Sequence, residues 1–184
     1  MYRIDLFHNR QVMKRFLLLQ VIVVLAFIVL SYKWAMIVTT IQEQRFFTNI
    51  IIGILGFLVI VCFHEGMKTL LFKMISNEQS RSYQLKNGVL LTFLPEYFFN
   101  RITFLTVMLL TSVLICLLLF VIFINLPYTS VIFVFAIYMG YCLISFYLVF
   151  IALKDKKAQY FEMTEDGLIL YQQKPTHYTH KMND

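Results

Sequence analysis

His64 and Glu65 stand side by side near the end of a long apolar run, and the chain continues Gly66-Met67-Lys68. This is the beginning of the pattern H-E-x-x-H. In that pattern two histidines one helical turn apart bind Zn²⁺, and the glutamate polarises the attacking water. Here Lys68 holds the second-histidine position, where an ammonium repels a metal cation instead of coordinating it. A metalloprotease also needs a third ligand from elsewhere in the chain. The two later apolar segments contain no Asp, Glu or His. Their polar residues are Thr103, Thr106, Thr111, Ser112, Tyr138, Tyr141, Ser145 and Tyr147. The acidic candidates left are Glu78, Glu96, Asp155 and residues of the tail, each of which needs an unusual approach to His64.

A second reading of the same residues involves no catalysis. A helix through 46–75 places His64 and Lys68 on one face, with Glu65 about 100° around. The group then forms the polar end of the helix, Glu65 pairing with Lys68 at i,i+3 and Lys68 snorkelling to the headgroups. Other residues with chemical potential read more plainly. Cys62, Cys116 and Cys142 lack metal-ligand spacing and fit as small apolar packing residues. His177 and His180 fall in a polar tail and read as solvated. Gly53 and Gly56, and Gly140 further on, suit close approach of neighbouring helices.

The elements that carry these residues follow from composition. Of the 184 residues 60% are hydrophobic and 14% charged, and the mean hydropathy is +0.74. Soluble domains carry about 25% charged residues, so this chain lacks the polar surface to cover itself in water. Spans of about 20 apolar residues cross the bilayer core. The sequence predicts four, at 14–38, 46–75, 102–126 and 129–153. The first runs into Ser31-Tyr32-Lys33-Trp34 without an A-x-A-like site, which reads as an uncleaved span. Lys and Arg concentrate in the N-terminal segment, in the loop after the second span and just after the fourth, which predicts cytoplasmic termini in a cell membrane. The net charge of +6 fits that topology and anionic lipid. No separate basic patch indicates nucleic acid. The near absence of charge within the spans disfavours an ion-coupled transporter.

Two pieces lie outside the spans. In 76–101, Asn87-Gly88 between strand-like runs predicts a two-residue hairpin, since both turn positions need positive φ. Pro95 ends the second strand, and Tyr97, Phe98 and Phe99 read as an aromatic belt at the membrane surface. In the tail, Asp166-Gly167 predicts a second hairpin, and the residues from Pro175 onward read as disordered. Isolated hairpins are marginal in water. The two are therefore expected to pair with each other or to lie against the membrane. The domain reading is a membrane domain over 1–157, including the 76–101 loop, and a tail over 158–184.

The order of these parts resembles a family of membrane zincin peptidases from Gram-positive bacteria. The resemblance rests on His64-Glu65 at the inner end of the second span, the hairpin loop, two further spans, and the Glu165-Asp166-Gly167 turn after them. It implies zinc-dependent proteolysis near the membrane, with His64 as first zinc ligand and Glu65 as general base. Lys68 departs from the pattern, which implies a degenerate, non-catalytic member. The expectation is thus an all-α membrane protein with small β-hairpin elements that binds a membrane protein or peptide and needs no cofactor. The alternatives are an active peptidase with zinc held by altered ligands, and a small transporter or immunity-type protein.

Overall fold

The computed structural model describes residues 2–5, 10–75, 82–86, 89–94, 97–164 and 167–175. In chain order the elements are β1 (Tyr2–Asp5), α1 (Arg10–Val38), α2 (Phe46–Ile75), β2 (Ser82–Lys86), β3 (Val89–Phe93), β4 (Phe98–Asn100), α3 (Arg101–Asn125), α4 (Thr129–Lys154), β5 (Tyr160–Thr164) and β6 (Gly167–Tyr171). All four helices are long and apolar enough to cross a membrane. The chain is a multi-pass membrane protein, and each helix coincides closely with a predicted span.

α4 is the centre of the bundle. α1, α2 and α3 all pack on it. Small residues let the backbones close. A Cβ on Gly56 of α2 would meet Val134 Cγ2 at 2.6 Å, and one on Gly140 of α4 would meet Val24 Cγ2 of α1 at 2.5 Å. Gly53 sits similarly against Phe133. The glycine face of α2 is thus taken by α4 within the chain. At the α1–α4 crossing Gln20 Nε2 donates to the Gly140 carbonyl at 3.1 Å, which satisfies the amide at membrane depth. At one end of the bundle the two short loops are tied together. Gln42 N donates to Pro127 O and Thr129 N to Gln42 O, while Thr129 Oγ1 donates to Asn49 Oδ1 at 2.9 Å.

The other end carries the β-structure. Here the structure differs from the hairpin pairing that the sequence suggests. β2 and β3 form their own two-stranded sheet, with Lys86 opposite Val89. β5 and β6 belong to a separate antiparallel sheet of order β1-β6-β5-β4. The tail hairpin is therefore flanked by Phe98–Asn100, which pairs with Tyr160–Glu162, and by Tyr2–Asp5, which pairs with Gly167–Leu170. Phe99 is buried in this arrangement and does not sit in a lipid-facing belt. The physical reason is burial: β5 alternates, turning Phe161 and Met163 inward. Phe161 then stacks on Phe104 of α3 with centroids 5.0 Å apart. One apolar cluster runs from Phe72 of α2 through Phe104 and Met108 of α3 and Leu148 of α4 to Phe161 and Leu168. The predicted turn residue Gly167 is instead the first residue of β6, paired with Thr164 of β5, so it lies in the strand beside the turn; its φ of 151° is a conformation that favours glycine. Asn87, Gly88, Pro95, Asp166 and residues 176–184 lie outside the described residues.

Two polar devices join sheet to helices. Asn100 Oδ1 accepts from Thr103 N at 2.7 Å and caps α3. Arg101 donates to the carbonyls of Leu153, Asp155 and Lys156, covering the open C-terminus of α4.

Between the two inner strands of the sheet, Tyr171 of β6 donates to Glu162 Oε2 of β5 at 2.6 Å. Partial burial, then the neighbouring carboxylate, hold the phenol above its ordinary value. A raised folded pKa means this contribution to stability is complete below the unfolded tyrosine value of about 10 and is lost as pH rises toward the folded one. Protease resistance of the tail should fall on that alkaline side in the wild type. The fall should be blunted in Tyr171→Phe.

Candidate functional site

α2 delivers His64, Glu65 and Lys68 into the interior at the sheet-bearing end of the bundle. Their exposures are 0%, 7% and 6%. The reading of these residues as a polar helix end reaching the headgroups is corrected here. They face α4 and β3, and Lys68 does not snorkel. The i,i+3 pairing is present: Lys68 Nζ lies 3.8 Å from Glu65 Oε1.

Burying a carboxylate requires partners for both oxygens. Tyr141 of α4 donates its hydroxyl to Glu65 Oε1, and Thr92 of β3 donates to Oε2. With Lys68 on the first oxygen, the carboxylate is engaged from three elements. His64 is held differently. Its Nδ1 lies 2.8 Å from the Tyr138 hydroxyl. Its ring meets Tyr138 and Tyr141 edge-on, at 5.8 and 5.5 Å between centroids. Its Nε2 is buried with no hydrogen-bond partner and lies 4.0 Å from Glu65 Oε1.

Tyr138, Tyr141 and Thr92 were not picked out as site residues by sequence reasoning, although the two tyrosines stand among the polar residues of the fourth span. The available signal was their i,i+3 spacing, which puts two hydroxyls on one face of an apolar helix. Thr92 carried no such signal. Of the predicted third ligands Glu78, Glu96 and Asp155, only Asp155 is among the described residues. Asp155 folds back on its own turn, accepting from Lys157 N at 3.0 Å. Glu78, Glu96, His177 and His180 lie outside the described residues. Of the cysteines, Cys142 is fully buried, Cys116 is half-buried against Met139 at 3.7 Å, and Cys62 is exposed.

The donor set can be tested against zinc. His64 Nε2, buried and unpartnered beside a carboxylate, has the posture of a ligand, with Nδ1 held by the Tyr138 hydroxyl as the outer nitrogen of a ligating histidine is held. The remainder does not fit. No three His, Cys, Asp or Glu side chains gather into a metal-holding group among the described residues, and the neighbouring position is filled by an ammonium. A tetrahedral site with three protein ligands is not assembled by these side chains.

This fold and site define a four-helix membrane protein with a buried His-Glu-Lys cluster at one end of its bundle. A family model described as "Putative zincin peptidase" matches residues 57–160, more than half of the chain, and the chain belongs to that family. Comparison with curated proteins and with solved structures gives no match.

Removing one partner of a buried ion pair costs about 3–5 kcal/mol, because the other charge is stranded. Lys68→Met should therefore destabilise the detergent-solubilised protein by about that amount, while Lys68→Arg retains most of the stability. Tyr141→Phe should cost less, about 1–3 kcal/mol for one bond to a buried charge. Unfolding titrations of the three variants check the ranking.

Proposed function

We propose that the protein is a non-catalytic member of this family, which keeps the architecture around the His-Glu pair and uses it to bind a membrane protein or peptide. The observation that carries the reading is the state of Glu65. A general base must offer a carboxylate oxygen to water. Here one oxygen is met by Lys68 and Tyr141 and the other by Thr92. On this reading the Lys68 ammonium supplies the positive charge that a metal supplies in a complete H-E-x-x-H site, and the degenerate motif is a cofactor-free joint between α2, α4 and β3.

We also place both termini on the cytoplasmic side of the cell membrane. The support is the distribution of basic residues: Lys14, Arg15, Lys73, Arg101, Lys154, Lys156 and Lys157 flank one end of the bundle, and Lys33 and Arg45 the other. A second reading, an active peptidase that holds zinc through His64 with Glu65 as base, is favoured by one observation, the unpartnered Nε2 of His64.

Zinc titration distinguishes them. A ligand that binds only the folded state raises its stability by mass action. Lys68→His restores two histidines one turn apart. That variant should show a zinc-dependent rise in unfolding temperature, and the wild type none. A comparable rise in the wild type, lost in His64→Ala, would favour the active-site reading instead.

A further inference from the structure

The α1–α4 contact closes tightly at Gly140. Beside it a groove of about 400 Å³ opens between α1, α2 and α4, with Val21, Val24 and Leu25 on one side and Phe57, Ile137 and Tyr141 on the other. We propose that this groove seats one acyl chain of an anionic phospholipid, with the lipid phosphate held at Lys14. The inference does not depend on how the His-Glu pair is read.

The wall is apolar, and its few polar groups are already engaged. The Gln20 amide is bonded to Gly140 O, and the Tyr141 hydroxyl to Glu65. Nothing there calls for a polar ligand. The groove lies within the spans and faces lipid, since Leu17, Val21 and Leu25 are all exposed. From Leu17 to Leu25 the groove runs ~12 Å along α1 at ~1.5 Å per residue, and an acyl chain is the apolar ligand that the bilayer itself presents along that length.

Charge fixes the headgroup. Lys14 is exposed, and it precedes Leu17 by three residues and Val21 by seven. That spacing puts it on the groove-lining face of α1, one turn beyond the groove. A chain lying along Val21 and Leu17 therefore brings its phosphate to the ammonium. A basic residue at this level favours an anionic over a zwitterionic headgroup.

The test uses the full chain in nanodiscs of equal parts phosphatidylglycerol and phosphatidylcholine, with retained lipid read by native mass spectrometry. The wild type should retain phosphatidylglycerol in preference to phosphatidylcholine. Lys14→Gln should reduce that preference about fivefold, the weight of one basic residue near an anionic surface. Val21→Trp, at an exposed position, should fill the groove and lose the retained lipid without lowering the unfolding temperature. Equal retention of the two lipids by the wild type would overturn the proposal, as would unchanged retention in a folded Val21→Trp. If Val21→Trp does not fold, Lys14→Gln decides alone, and an unchanged preference in it overturns the proposal.

Discussion

The buried pair of Glu65 and Lys68 constrains everything around it. Moving two charges out of water costs several kcal/mol for each ion, and their attraction offsets this only when the remaining valences are filled. The bundle fills them from different elements. α4 brings Tyr141, β3 brings Thr92, and α2 supplies the lysine itself. A shift of the hairpin or of α4 would leave a carboxylate oxygen unmet in a dry interior. One ion pair therefore fixes how the hairpin sits on the bundle, and it does so from the middle of a family motif.

The apolar framework makes that placement possible. Gly56 and Gly140 let α2 and α1 close on α4, which sets the depth at which Tyr138 and Tyr141 meet α2. At the sheet-bearing end Phe161 stacked on Phe104 and the Arg101 cap on α4 anchor the tail strands to the helices. Thr92, Phe93 and Leu94 are all buried here, so the β3 residue that reaches Glu65 is packed beside the same core.

Much of this was legible in the sequence, for physical reasons that can be named. Hydrocarbon thickness dictates span length, so the helices were placed to within a few residues. Glycine between strand-like runs signals a chain reversal, so Gly167 located its hairpin to within a residue, although it opens β6 and does not occupy the turn. The i,i+3 spacing of Glu65 and Lys68 announced their pairing. What stayed hidden was tertiary. A polar trio near a helix end has the same local pattern whether it faces headgroups or a tyrosine pair on another helix. The pairing of Phe98 with Glu162 joins segments on either side of two whole spans, and no local periodicity encodes it. Thr92 looks like any strand threonine until Glu65 is opposite it.

An ammonium, Lys68, stands where a complete H-E-x-x-H motif has its second metal ligand. Elemental analysis of the detergent-purified wild type, after exposure to zinc and removal of excess, tests this most directly. Neither the wild type nor His64→Ala should retain zinc. Stoichiometric zinc in the wild type, absent from His64→Ala, would contradict it.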